Sequence, residues 1–395
     1  VTEGCAASSV WIVQTDLTPV GLRRPVVVLG LAALVFSASA CSATPETGPS
    51  ASSSPSVAAP VDTLPLNNVT IPSEALGANL IGDPAQHDAI VYLPPQYFTS
   101  DDSLPVLYFL PGYGGSTMSE VSLPEDLDTA FETLDPMIIV IVNGLNSFTG
   151  SFYTDSTTTG GWSTFLADDV VPYVDSHFRT IPSRDARGIA GHSMGGFGAL
   201  DNAMRHSDVF GSVFAMAPAL FDENGLQELH LFTSENRVRA LIALVDEASA
   251  LGPDVGLDHL IASQLTFDVG YGMAFAPTDE FPYFEYPFTL AEDGTLVRDD
   301  AVLARWEAGY GGVASEVAAF APELKSLNGI GIDCGSNDEN RWIPPGCAYM
   351  DAQLTAAGIE HQYTTHTGTH NGFNRERILE HMLPFFSGIF TEATD

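Results

Sequence analysis

Ser193 stands in the run Gly191-His192-Ser193-Met194-Gly195, directly after the apolar segment Arg187-Gly188-Ile189-Ala190 and before a stretch with helical character, Gly196 to His206. A serine flanked by glycines at a strand-to-helix turn is the arrangement of a nucleophile elbow, where side chains at the flanking positions would collide with the neighbouring strand or helix. A serine hydroxyl is a poor nucleophile until a base removes its proton, and the imidazole that does so needs an orienting carboxylate. Both follow downstream. Gly331-Ile332-Asp333-Cys334-Gly335-Ser336-Asn337-Asp338 reads as a strand and then a loop, and Thr367-Gly368-Thr369-His370-Asn371 precedes a terminal helix expected to begin near Asn374. The order serine, acid, histidine makes Ser193 the expected nucleophile, Asp338 the acid and His370 the base. Asp333, inside the expected strand, and Glu339 are the alternative acids, and His366 is the alternative base. An ordinary glycine-rich turn and solvated loop charges would account for each residue singly, but not for their joint order.

Acyl transfer through a serine creates a tetrahedral intermediate whose oxygen needs preorganised donors. One is expected to be the backbone N–H of Met194, at the start of the elbow helix. The second should come from the loop Leu110-Pro111-Gly112-Tyr113-Gly114-Gly115. Proline has no N–H to give, so Tyr113 is the preferred donor and Gly112 the next. The same glycines lack both the spacing and the basic residue of a phosphate loop. No H-E-x-x-H pattern and no zinc-type cysteine spacing occurs, so neither a metal nor a cofactor is expected.

The elements that must carry these residues alternate. Ala89 to Leu93, Pro105 to Leu110 and Met137 to Val142 read as strands, the last two with the unbroken apolar character of buried central strands. Leu123 to Leu134 and Ser163 to Phe178 read as helices, the second expected to break or kink at Pro172. The elbow strand follows at 187–192, then Val209 to Met216, with a last strand near His361 to Thr365. This rhythm implies a mainly parallel sheet covered by helices on both faces, and the order of the three candidate residues is that of the α/β-hydrolase fold. Residues 221–329 interrupt it as a large insertion before the last strands. Helical stretches are expected at 224–250, 299–309 and 313–327, around an aromatic passage containing Phe267, Tyr271, Phe275, Phe281, Tyr283, Phe284, Tyr286 and Phe288. A lid or pocket wall is its natural use, and its aromatics either line an acyl or aryl site or form the insertion's own small core.

Charge narrows the partners. The 395 residues carry 50 Asp plus Glu against 14 Lys plus Arg, a net charge of −36, with Lys325 the only lysine. No basic stripe exists to neutralise phosphates, so nucleic-acid binding is excluded as an expectation. A surface this acidic repels itself at low ionic strength, which suits a saline medium. Residues 1–40 read as a leader. Arg23-Arg24 precede an apolar h-region at 26–40 that is short for a transmembrane helix and ends Ala38-Ser39-Ala40-Cys41, similar to a bacterial lipobox. Cys41 is then the expected lipidation site, with plain secretion as the alternative. Residues 41–63, rich in Ser, Ala, Pro and Thr, form a flexible tether, and the folded domain is expected to span 64–395. The two cysteines left in that domain, Cys334 and Cys347, are expected to pair in an oxidising compartment, the alternative being two buried thiols.

Three segments carry a family resemblance: Val91-Tyr92-Leu93-Pro94-Pro95-Gln96-Tyr97, Pro105 through Gly115, and Gly150-Ser151-Phe152-Tyr153, to which Gly188 through Gly196 adds the elbow. Over roughly 85–218 and 328–388 the chain resembles the esterase family that includes esterase D-like enzymes, feruloyl and acetyl-xylan esterases and the mycolyltransferases of the antigen 85 complex. The resemblance implies an α/β-hydrolase fold, with Ser193, Asp338 and His370 as nucleophile, acid and base and Met194 and Tyr113 at the oxyanion hole. Many esterases of this family have His-Gly where this chain has Pro111-Gly112, and the 221–329 insertion is longer than in simpler members. The expected activity is hydrolysis of small acyl or aryl esters, free or polymer-linked, through an acyl-enzyme. Acyl transfer to a sugar or lipid hydroxyl by the same triad and a non-catalytic surface lipoprotein are the other readings. Hydrolysis should rise with pH through the free imidazole range, near about 6–7.

Overall fold

A computed structural model describes residues 64–115, 121–228 and 234–394. The leader expected at 1–40, Cys41 and the tether at 41–63 lie outside the described residues. Eight strands form one sheet: β1 (Leu66–Pro72), β2 (Gln86–Tyr92), β3 (Val106–Leu110), β4 (Ile138–Val142), β5 (Arg187–His192), β6 (Ser212–Met216), β7 (Gly329–Gly335) and β8 (Gln362–His366). Their spatial order is β1-β2-β4-β3-β5-β6-β7-β8. The pairs β1–β2 and β2–β4 are antiparallel, and every pair from β4 to β8 is parallel. This is the α/β-hydrolase architecture, with helices on both faces and the large helical insertion before the last two strands.

Every residue of β3, β4, β5 and β6 is buried. Alternation then divides their side chains between two cores. Val106, Tyr108, Leu110, Ile138, Val140 and Val142 face one layer, which includes Met194, Phe197 and Leu200 of the elbow helix and Trp162 and Phe165. Leu107, Phe109, Ile139 and Ile141 face the other, which includes Leu127 and the terminal-helix residues Ile378, Met382 and Phe386. Each fully buried side chain of this size contributes about 1.5–3 kcal/mol relative to exposure.

Pro172 does not break its helix. The chain runs Trp162–Thr164 as α-helix, Phe165–Val170 as π-helix and Val171–His177 as α-helix again. A π-turn widens the backbone just before the proline, which relieves the usual clash between the ring and the preceding carbonyls. β1 was not anticipated, and β6 starts at Ser212, later than expected. In the insertion, the helix expected at 224–250 is a 3₁₀ turn, Gly225–Glu228, and then Glu235–Leu251. The aromatic passage begins as a helix, Thr266–Phe275.

The insertion's aromatics are chiefly core. Tyr271, Phe284, Trp306 and Tyr310 are buried. The Tyr271 and Tyr310 rings stand 5.6 Å and 5.8 Å from Phe152 of the main domain. The insertion is thus packed into the hydrolase core rather than built around a separate one. Phe267 is the half-buried edge of this cluster, 5.0 Å from the Tyr113 ring.

Cys334, in β7, and Cys347, in helix Ile343–Ala356, form a disulfide. It ties the strand that leads into Asp338 to the helix that follows it. Among the described residues, no helix is long and apolar enough to cross a membrane.

The charge of −36 gives a test at this level. Raising salt from about 0.1 M to about 1 M shortens the Debye length from about 10 Å to about 3 Å. Melting temperature should climb across that interval at fixed pH. A flat or falling curve would show that carboxylate repulsion does not limit stability.

Candidate active site

Register brings the site together. Leu110 pairs with Gly191, His192 with Met216, and Gly335 with His366. The carboxyl ends of β3, β5, β7 and β8 therefore share one edge of the sheet, where α/β proteins place their ligands. The loops leaving those ends carry Gly112 and Tyr113, Ser193, Asp338 and His370.

Ser193 has φ 57° and ψ −116°, outside the regions open to ordinary L-residues. Its backbone is held at three points: the N–H donates to Met216 O at 3.0 Å, and its carbonyl accepts from Phe197 N and Ala219 N, both at 3.0 Å. Gly195 permits the turn, because a Cβ there would fall inside the contact radius of Leu110 O. The hydroxyl is thereby presented at the helix N-terminus, where the N–H of Met194 has no partner within its own helix.

His370 is 8 % exposed, and its Nδ1 lies 2.6 Å from Oδ2 of the fully buried Asp338. Asp338 Oδ1 accepts from Asn340 N at 2.7 Å, which fixes the carboxylate plane. His370 and Ser193 line one cleft of about 320 Å³ together with Gly112, Tyr113, His192 and Asn371. With Nδ1 turned to the carboxylate, Nε2 is the nitrogen left for proton transfer.

The alternative residues have other partners. Asp333 is buried in an ion pair with Arg377, whose Nε reaches both carboxylate oxygens at 3.0 Å. Glu339 Oε2 accepts the backbone N–H of His370 at 2.9 Å, and this bond holds its carboxyl below the usual glutamate range. His366 uses Nδ1 to accept from Gly368 N at 3.0 Å. Asp338 alone of the three carboxylates meets the imidazole of His370.

The loop after β3 is braced from behind by residues 144–153. Tyr113 Oη donates to Phe148 O at 2.6 Å, Gly114 N to Thr149 O at 3.0 Å, and Tyr153 Oη to Pro111 O at 3.2 Å. Burial raises the Tyr113 phenol above its ordinary pKa, so it stays a donor. Thr149, Phe152 and Tyr153 all have positive φ, between 53° and 65°. Such a cluster of strained non-glycine residues persists only where surrounding contacts enforce it. Gly150 is required by crowding, since a Cβ there would strike the Tyr113 ring and come within 2.8 Å of Met194 Sδ. Gly150 through Tyr153 was read from sequence only as part of a family resemblance; its bracing role needs the fold to be seen.

In the sequence His192 figures only as part of the elbow motif. Its Nε2 is 3.0 Å from His370 O and the two rings lie 4.7 Å apart. Burial first, then the neighbouring His370 and Arg377, push its pKa down to about 3. An unfolded histidine titrates near 6.5, so between those values only the unfolded chain takes up this proton. The stabilisation is complete above pH about 6.5 and is lost as pH falls toward 3. Arg377, Asp333, Asp338 and His370 are the charged and titratable groups around it, and they remain when His192 is replaced. The fall in melting temperature from pH 7 to 4 should therefore be steeper in the native protein than in His192→Gln. Equal slopes would rule out a buried neutral His192.

A family model described as "Putative esterase" matches residues 85–250. Esterase Rv1288 of Mycobacterium tuberculosis is 34% identical over 127 residues, covering 31% of this chain and 27% of the relative. Residues 85–250 are thus similar to an esterase family, in a chain whose sheet has the α/β-hydrolase order. An acetyl esterase of Caldicellulosiruptor saccharolyticus is 26% identical over 130 residues, covering 32% of this chain and 47% of the relative. The chain thus aligns with about a quarter of the length of the mycobacterial relative. Among solved structures, a ferulic acid esterase superposes with a TM-score of 0.54 at 21% identity, over 82% of this chain and 98% of the other. The Staphylococcus aureus serine hydrolase FphF gives 0.50 at 16%, with the same coverage. Both share the fold.

Proposed function

We propose that this chain is an esterase that hydrolyses carboxylic esters through an acyl-enzyme, with Ser193 as nucleophile, His370 as general base and Asp338 as its orienting acid. The observation that carries the reading is the 2.6 Å contact between His370 Nδ1 and a fully buried Asp338, in a cleft shared with a serine on a strained elbow. Ser193 Oγ attacks the ester carbonyl as its proton passes to His370 Nε2. The backbone N–H groups of Met194 and Tyr113 receive the oxyanion. His370 returns the proton to the departing alcohol, then activates water to release the acid and free Ser193. Phe267, from the 221–329 insertion, stands 5.0 Å from the Tyr113 ring, beside the loop that carries the second oxyanion donor.

Outside the described residues, we assign 1–40 to an export leader, Cys41 to lipidation and 41–63 to a tether. This places the enzyme at the cell surface, acting on free or polymer-linked esters. Loss of fatty-acid labelling in Cys41→Ala tests that assignment, and unchanged labelling would reject it. For the activity, a panel of p-nitrophenyl acetate, butyrate and octanoate with methyl ferulate and a soluble polyester oligomer reads acyl preference directly. No turnover of any member would overturn the hydrolytic reading.

A further inference from the structure

His192 lies between two parts of the site that share no element. On one side its ring faces the loop after β3: a Cβ built at Gly112 would stand 3.5 Å from His192 Nδ1 and 3.4 Å from both His192 O and Ser193 Cβ. On the other side Nε2 is 3.0 Å from the carbonyl oxygen of His370, 178 residues away in sequence. A carbonyl can only accept, so Nε2 must carry the proton and His192 must be the donor. The ring is 6 % exposed and tilted 43° to the His370 ring. His370 itself is otherwise tied at its backbone N–H by Glu339 and at its carbonyl by a longer 3.4 Å contact from Arg377.

We propose that His192 is a positioning residue: through its Nε2–H bond to the His370 carbonyl it sets the spacing between the base, the nucleophile beside it and the oxyanion loop on its far side. The proposal rests on the esterase reading above for its kinetic consequence, although the hydrogen bond itself can be tested without it. Ser193 and its neighbour His192 ride on the same rigid elbow, so a bond from His192 to the His370 backbone references the base directly to the nucleophile. Asp338 orients the imidazole, but it belongs to the loop after β7 and cannot provide that reference. A depressed pKa keeps His192 neutral and donating while the adjacent imidazole gains and loses its proton during turnover. Arg377, and Asp333 paired with it, are the fixed charges facing this contact, with Asp338 and Glu339 on the loop beyond.

The experiment uses two variants and one spectrum. His192→Leu should lower kcat about 10- to 100-fold, the usual cost of misplacing a catalytic group by about 1 Å, with KM nearly unchanged. His192→Gln, whose amide nitrogen reaches the Nε2 position, should recover most of that loss. Equal impairment of both variants, or a Leu variant within about twofold of native kcat, overturns the proposal. In the native protein, nitrogen-15 NMR of the His192 ring should show the neutral Nε2–H tautomer unchanged from pH 5 to 8. Titration inside that range, or a proton on Nδ1, also overturns it. Absence of esterase activity in the native enzyme would instead defeat the functional reading and leave the NMR result to decide the hydrogen bond.

Discussion

Ser193→Ala should lower kcat for p-nitrophenyl butyrate by about 10⁴-fold or more, while the melting temperature should stay at the native value. On the proposed mechanism the rate loss follows from removing the atom that forms the acyl-enzyme, since the remaining groups act on that atom as a unit. The unchanged stability follows from where the elbow is tied. Met216, Phe197 and Ala219 bond to the backbone of Ser193, not to its hydroxyl. Alanine meets the same positive φ as serine, so the strain is equal in both proteins. A variant keeping about a tenth of native kcat would eliminate Ser193 as nucleophile.

Asp338→Asn and Asp333→Asn separate two buried carboxylates that lie five residues apart. Replacing Asp338 leaves the shape intact but removes the charge that holds the His370 tautomer, so kcat should fall about 10⁴-fold with little change in melting temperature. Replacing Asp333 strands the Arg377 guanidinium, itself 2 % exposed, without its carboxylate. Breaking a buried pair in this way costs about 3–5 kcal/mol. That variant should melt well below the native protein while its folded fraction keeps most of its kcat. The reverse pattern would move the acid role to Asp333.

The contrast between these carboxylates marks where sequence reasoning stops. Asp338 was favoured for standing in a loop after a strand, and the structure places it on His370. The sequence carried no sign that Asp333 meets Arg377, because that pair joins β7 to the terminal helix across 44 residues. The strands β3, β4 and β5 were legible because burial on both faces demands unbroken apolar runs. β1 was not, since Asn67 and Asn68 mask the alternation of Val69 and Ile71 on an edge strand. Helix Thr266–Phe275 has Phe267, Tyr271 and Phe275 four apart on one face, but Gly270 and Gly272 argue locally against a helix. Gly272 is explained only by packing: a Cβ there would run into Phe284 and Trp306. The role of His192 was hidden for the same reason as Arg377, a partner far away in sequence.

The strand order also dictates when the proposed site is assembled during folding. The elbow and the loop after β3 sit on adjacent central strands, β3 and β5, whose residues lie within 106–192. Asp338 and His370 arrive only with β7 and β8, after the 221–329 insertion has been folded or looped out. Contacts of such separation form late, because the intervening chain must first be closed at an entropic cost. A nascent or partly refolded chain therefore has a shaped elbow but not the Asp338–His370 pair, and on the proposed mechanism its serine should be inert. Refolding followed by tryptophan fluorescence should thus run ahead of recovered turnover. The lag would report the docking of the last two strands onto β6.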